Sequence, residues 1–388
     1  MLIGIIGAPN KGKSLIFSCL TSIAVGVADY PFTTIEPNKG VALLRVPCAH
    51  VAVGLAKCDA RGGHCKNGMR EIAVPLLDVA GLVPGASEGK GMGNQFLDDL
   101  RTADGFIQVV DASGRTDLEG NPAADFTLEK EIGFLGAELE AWLWQVVERN
   151  APKFRFRGMT EMSAALSGLG YDQPALAHAA QTAGLRVERI EWSTEDLKRF
   201  THALYASGKP RIVAANKADI AGALQRVGKA KTGLAATSIM ACSAIYEQAL
   251  QKAAASGMIK YEAGAADFEI TGAPDAQQKM ALERIRAFMK ENGGTGVHAL
   301  LHHMVFKQLG MQVVYPVEDE NRYTDRTGTV LPDALLVPPH TTTLQLAERI
   351  HTDLAKSFVC GVDARTKRRL GKDHELADGD IVKIVAAR

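Results

Sequence analysis

Residues 7–14 read GAPNKGKS, preceded by the apolar run LIGII at 2–6 and followed by LIFSCLTSI at 15–23. The first run is continuous and ends at Gly7 and Pro9, the pattern of a strand buried on both faces. After Lys13, the residues Leu15, Ile16, Cys19, Leu20 and Ile23 recur at helical spacing. The order is therefore strand, glycine loop, helix, which is the setting in which G-x-x-x-x-G-K-[ST] binds phosphate. Gly7 and Gly12 let the backbone turn successive N–H groups toward an anion, and the helix N-terminus adds its positive end. The candidate phosphate residues are Gly7, Ala8, Pro9, Asn10, Lys11, Gly12, Lys13, Ser14 and Leu15. Lys13 would reach the β- and γ-phosphates and the Ser14 hydroxyl would ligate Mg²⁺.

Three further elements extend the pattern. IAVPLLDVAGL at 72–82 is an apolar strand ending at Asp78 and Gly81. The Asp78 carboxylate suits a Mg²⁺ shell, and the Gly81 N–H suits a γ-phosphate. RIVAANKAD at 211–219 is a third buried strand, ending in Asn216, Lys217 and Asp219. Guanine presents two adjacent donors that one carboxylate accepts together, whereas adenine has no such pair, so Asp219 is the residue expected to select guanine. Ser243 and Ala244, in CSA at 242–244, would lie beside the base. Between these elements, DYPFTTIEPN at 29–38 carries Thr33 and Thr34, one of which would complete the Mg²⁺ shell only when the γ-phosphate is bound. The glycine-rich stretch after Gly81, GLVPGASEGKGMGNQF, reads as a second switch.

Together these segments resemble the Obg group of translation-factor-related GTPases, and within it the archaeal form of the YchF subfamily. The resemblance rests on GAPNKGKS, DYPFTTIEPN, DVAGLVPGASEGKGMGNQFLDDLRTADGFIQVVDASG, NKAD and the terminal GKDHELADGDIVKIV. It implies phosphate and Mg²⁺ contacts at Lys13 and Ser14, Thr34 as the switch threonine, γ-phosphate sensing by Asp78 and Gly81, and base contacts at Asn216, Lys217, Asp219, Ser243 and Ala244. In Ras-like GTPases a glutamine after the DxxG glycine orients the attacking water. Here that place holds Leu82, which implies slow intrinsic hydrolysis. Asn10 resembles the asparagine that coordinates K⁺ in potassium-stimulated relatives. Bacterial members replace the NKxD motif and often use ATP, so an intact NKAD points to GTP and GDP. Lys11 stands where a small residue is usual, and its side chain is expected to face solvent.

The 388 residues hold 44 Lys plus Arg against 44 Asp plus Glu. Zero net charge gives no global field toward DNA or a membrane surface, and no apolar run reaches the roughly 20 residues of a membrane span. Six cysteines in so long a chain are not a disulfide framework and suggest a reducing, cytoplasmic setting. The expected fold class is α/β. A Ras-like P-loop NTPase domain over 1–114 and 206–305 would be interrupted by a helical insertion at 115–205, in which Leu128, Ile132, Leu135, Leu139, Trp142, Leu143 and Val146 share one helical face. Thr194 is the expected cap of a second helix in it. From 311 to 388 short strands surround one helix, and the segment resembles a TGS domain, a ubiquitin-like β-grasp module.

Local chemistry adds weaker candidates. Arg365, Lys367, Arg368, Arg369 and Lys372 cluster around one turn and are candidate contacts to RNA phosphates; RNAPKFRFRG at 149–158 is a second. Cys48, His50, Cys58, His64 and Cys65 lack the C-x₂-C turn usual in structural zinc sites, and read as ordinary reduced cysteines in a hairpin. His298, His302 and His303 have no carboxylate or cysteine near them in sequence, so a metal there is not expected. The function expected is slow, Mg²⁺-dependent GTP hydrolysis as a conformational switch, with a ribosome or structured RNA as the partner that the resemblance implies. The alternatives are an ATPase on the same scaffold and a nucleotide-gated RNA- or ribosome-binding module with negligible turnover.

Overall fold

The apolar runs around the opening loop form strands of one parallel sheet. In a computed structural model, which describes residues 1–21, 38–61, 64–79, 81–85, 102–187 and 191–387, β1 (Ile3–Ile6) is buried along its whole length. The chain divides into two compact units, Met1–Cys19 with Leu76–Leu300 and Leu20–Pro75 with Leu301–Arg388. This differs from the division expected at 1–114 and 206–305, because Leu20–Pro75 groups with the C-terminal residues.

In the first unit β1 pairs in parallel with the end of β4 (Met69–Asp78), Ile5 opposite Asp78, and on its other side with β5 (Gly105–Asp111). Then follow β6 (Arg211–Asn216) and β7 (Ile239–Ala241), both parallel, with Asp111 opposite Asn216. The order β4-β1-β5-β6-β7 brings Gly7, Asp78, Asp111, Asn216 and Cys242 to one edge, the carboxyl ends of the strands, where ligands of open α/β sheets bind.

The helix Leu128–Leu166 serves two cores. Its first turns put Leu128 and Ile132 against Val110, Val213 and Ile239 of the sheet. Beyond, Leu143, Val147, Phe154, Met162 and Leu166 join Leu176, Trp192, Phe200 and Leu204 in a separate helical core. Helices Gln173–Thr182 and Thr194–Ala206 close that core, with the Trp192 and Phe200 rings 5.0 Å apart. The long helix breaks at Gly158, whose φ of 61° lies outside the helical range. Trp142 and Trp144 pack against this core, and Phe154 is buried in it. Only part of RNAPKFRFRG therefore remains to face RNA; the side chains of 155–157 lie outside the described residues. The cap of Thr194–Ala206 is Ser193 rather than Thr194, through a reciprocal pair of hydrogen bonds with Asp196. Among the described residues no helix is long and apolar enough to cross a membrane.

Still in the first unit, β8 (Ile259–Lys260) and β9 (Glu269–Ile270) form a separate antiparallel pair. In the second unit the C-terminal residues build a five-stranded sheet. β10 (Gln312–Val317) pairs in parallel with β14 (Ile381–Ala386) and antiparallel with β11 (Leu335–Val337), while β12 (Phe358–Asp363) joins β14 to β13 (Arg369–Leu370). Helix Thr343–Ile350, capped by Thr342 with Gln345, buries Leu346 against Val314, Val337, Leu370 and Val382. The same unit contains β2 (Lys39–Pro47), β3 (Cys65–Lys66) and the first part of β4. Asn67 and Gly68, with φ of 52° and 78°, form the two-residue turn between β3 and β4.

Candidate nucleotide-binding site

Glycine is required at two places in the loop after β1. At Gly7, with φ of 148°, a Cβ would lie 2.3 Å from the Val109 carbonyl oxygen. At Gly12, with φ of 92°, it would lie 2.3 Å from Asn216 Nδ2. The loop is thereby pressed against β5 and against the asparagine of NKAD. The helix Lys13–Thr21 starts immediately after it.

Lys13 is largely buried, and its Nζ donates to the Ala8 carbonyl at 2.9 Å. It also lies 3.2 Å from where a Cβ on Gly81 would sit, so the loop lysine and the DxxG glycine adjoin. Burial pulls the Lys13 ammonium below its ordinary value, and the Asp78 carboxylate opposes this. Burial likewise raises the Asp78 carboxyl, against a hydrogen bond from Ser14 and the charge of Lys13. Asp78 Oδ1 is buried without a hydrogen-bond partner among the described residues. An orphaned carboxylate oxygen beside the Ser14 hydroxyl is the donor set of a hard cation such as Mg²⁺, and these residues fit that ion.

The base side is organised by hydrogen bonds. Asn216 Nδ2 donates to the Lys11 carbonyl at 2.9 Å, and its Oδ1 accepts from the Ala244 N–H at 3.0 Å. Asn216 therefore splices the phosphate loop to the 242–244 loop. Ser243 donates to Asp219 Oδ1 at 2.6 Å and accepts from the Tyr246 N–H, so it both orients the carboxylate and caps helix Ala244–Ala255. Lys217 takes a positive φ of 62° and donates to Asp111 Oδ2 at 2.8 Å. Burial pushes the Asp111 carboxyl up, but Lys217, Ser113 and Thr116 outweigh it and hold it below the usual range.

Lys11 departs from its expected place. It is fully buried. Its Nζ donates to Thr116 Oγ1 and to the Asp117 carbonyl at 2.8 Å each, and to the Thr116 carbonyl at 3.1 Å. Glu131 Oε1 lies 3.3 Å away, itself buried. Burial lifts the Glu131 carboxyl to about 7, with Lys11 pulling the other way. A side chain with no nearby acceptor would face solvent; this one finds four, all more than 100 residues away in sequence. Asp111, Thr116 and Glu131 are thus site residues that no local motif marks.

Three family models match the chain: a 50S ribosome-binding GTPase model over residues 2–134, the G4 motif-containing domain of YGR210-like Obg-like GTPases over 214–319, and a TGS domain over 327–386. An uncharacterised GTP-binding protein of Methanocaldococcus jannaschii is 42% identical over 394 residues, covering 100% of this chain and 99% of its own. The chain belongs to the Obg-like, YchF-type GTP-binding proteins. A crystal structure of a GTP binding protein from Pyrococcus horikoshii OT3 is 31% identical, with a TM-score of 0.79 and full coverage of both chains. The protein named ribosome-binding ATPase YchF in Pasteurella multocida is 36% identical over 135 residues, 33% of this chain and 35% of its own.

In this YchF-type chain Leu82 is buried with Ile6, Leu77, Val79 and Phe106, and its N–H donates to the Gly7 carbonyl at 3.1 Å. The position of the Ras-like glutamine is thus part of the core. Asn10 is exposed, and its Nδ2 donates to the Gly120 carbonyl at 3.1 Å, leaving the side-chain oxygen as the atom able to accept a cation. Thr33, Thr34 and residues 86–96 of the glycine-rich stretch lie outside the described residues. The five basic residues of the C-terminal turn are not equivalent. Arg365 donates to the Gly379 carbonyl at 2.6 Å, and Lys367 donates to the Glu320 and Ala364 carbonyls and lies over the Tyr323 ring. All five are exposed, but the Arg365 and Lys367 side chains are already engaged by these bonds, which sets them apart from Arg368, Arg369 and Lys372. His298 does meet a carboxylate, Glu247 at 3.3 Å, although none stands near it in sequence.

Proposed function

We propose that this protein binds GTP with Mg²⁺, hydrolyses it slowly, and uses the two nucleotide states as a switch on a ribosome or structured RNA. The observation that carries the phosphate chemistry is the orphaned, buried Asp78 Oδ1 beside Ser14 and Lys13. Ser14 and Asp78 would hold the Mg²⁺, with Thr34 joining them in the triphosphate state. The ion would offset charge on the β- and γ-phosphates. Lys13 supplies a desolvated positive charge at the same phosphates, where it acts more strongly than in water. Leu82 offers no hydrogen bond to an attacking water, so turnover without a partner is slow.

A K⁺ held by the Asn10 side-chain oxygen would add positive charge at the bridging phosphate oxygens, the part an arginine plays elsewhere. Single-turnover GTP hydrolysis compared in KCl and NaCl at equal ionic strength tests this. A clearly faster rate in K⁺, lost in Asn10→Ala, is expected; equal rates remove the K⁺ site. The buried Leu82 keeps a second reading open, a nucleotide-gated binding module. It requires turnover to stay negligible with K⁺ and ribosomes present. The partner class is supported by the names of the 50S ribosome-binding GTPase model and the Pasteurella multocida relative, and Arg368, Arg369 and Lys372 supply exposed charge for RNA.

A further inference from the structure

We infer that Cys48, His50, Cys58 and Cys65 together bind one structural zinc ion. All four are in the second unit, away from the phosphate loop in sequence. Their ligand atoms lie within 4.8 Å of one another. Cys48 Sγ and Cys58 Sγ are 3.7 Å apart, and Cys65 Sγ and His50 Nδ1 are 3.5 Å apart. A tetrahedron with zinc–sulfur bonds of about 2.3 Å and zinc–nitrogen bonds of about 2.0 Å has S···S edges of about 3.8 Å and S···N edges of about 3.5 Å. The observed pairs match one edge of each kind. A disulfide would need about 2.05 Å, and all six cysteines are free thiols.

Local structure explains how an irregular spacing forms such a site. The Asn67-Gly68 turn folds β3 back on β4, setting Cys65 opposite Arg70. The Cys48 N–H donates to the Gly68 carbonyl at 2.8 Å, which places the start of the short helix Ala49–Ala52 on the same turn. Cys48-x-His50 on that helix start thus takes the place of the missing C-x₂-C. His64 is excluded, being exposed and paired with Glu71.

A second observation is independent of the distances. Arg70 is 1% exposed and meets no carboxylate among the described residues. Its guanidinium donates to the Leu331 and Pro332 carbonyls and to Cys58 Sγ at 3.6 Å, while Nε has no partner among the described residues. A buried guanidinium without a counter-charge is costly. Three thiolates around one Zn²⁺ carry a net charge of −1 and neutralise it. Binding displaces the three thiol protons to solvent. Three sulfurs and one imidazole favour zinc over hard cations, and four protein ligands leave no open position, so the ion is structural rather than catalytic.

The site fixes a segment that docks on the C-terminal module. The Asp59 N–H donates to the Val330 carbonyl at 2.8 Å and the Arg61 N–H to the Pro332 carbonyl at 2.7 Å, while the Val330 N–H donates back to Asp59 Oδ2 at 3.1 Å. The ion would pin both ends of the loop that makes these bonds.

The test uses the full chain purified after zinc supplementation, with metal measured by elemental analysis and cobalt substitution followed by absorption. About one zinc per chain, and a cobalt spectrum of tetrahedral thiolate type, are expected. Cys58→Ser and Cys65→Ser should fall below about a tenth of an equivalent, while His64→Asn keeps its zinc. Hydrogen exchange at the Asp59 and Arg61 amides should speed up when zinc is stripped from the wild type. A wild type without bound zinc, an octahedral cobalt spectrum, or Cys58→Ser retaining full zinc would overturn the site. Unchanged exchange at the two amides would overturn its role in fixing the loop.

Discussion

Replacing Lys13 by alanine should weaken GTP binding by about 2–5 kcal/mol, roughly 30-fold to several thousand-fold in Kd. Lys13 is buried where the loop, Gly81 and Asp78 converge, and burial already pulls its ammonium down. An arriving triphosphate meets a charge screened little by water, and the alanine removes it entirely. The fold should survive, because the hydrogen bond lost is one to the Ala8 carbonyl. Isothermal titration with GTP and Mg²⁺, alongside a melting curve for each protein, checks both halves. A Kd within threefold of wild type would mean that Lys13 does not reach the phosphates.

Lys11→Ala should act on stability instead, costing about 1–3 kcal/mol. It leaves the Thr116 and Asp117 acceptors without their buried donor and removes the cation beside Glu131, whose carboxyl then takes up a proton at neutral pH. A lysine facing solvent would cost within about 0.5 kcal/mol, so chemical denaturation separates the two placements cleanly. The pH dependence carries the same information. Glu131 titrates near 7 in the folded protein against an ordinary 4.5. A raised carboxyl favours the fold when protonated, so its contribution is full below about 4.5 and is lost as pH rises through 7. The stability of wild type relative to Glu131→Gln should therefore fall between about pH 5 and about pH 8, by on the order of 3 kcal/mol. A flat difference would place Glu131 in water.

The parts of the site that were legible beforehand are those in which chemistry and sequence are contiguous. GAPNKGKS, the Asp78 strand and NKAD each place their polar residues at the carboxyl end of an apolar run, so a parallel sheet brings them to one edge. The Lys11 network was not legible, because its acceptors come from a loop and a helix more than 100 residues on. Glu131 lies one residue before Ile132 on an amphipathic helix, a position that reads as solvent-facing until the loop lysine covers it. Asn216 reads as a base contact; its side chain also joins Lys11 to Ala244, a second role that the motif does not announce, and the other Nδ2 proton is left for a base. The cysteines and His50 stood out as a group in the sequence but did not read as one site, because a hairpin turn, not a short spacing, brings them together.

Competitive binding of GTP and ATP with Mg²⁺, to the wild type and to Asp219→Asn, tests guanine recognition most directly. The Ser243 hydroxyl can still donate to the asparagine oxygen, so the loop keeps its shape, while one carboxylate that accepts both guanine donors is lost. Strong GTP preference in the wild type, reduced in the variant by about 1–3 kcal/mol or roughly 5- to 150-fold, is the expected result. Equal binding of the two nucleotides, or an ATP preference that the substitution leaves unchanged, would contradict guanine selection by Asp219 and put an ATPase in its place.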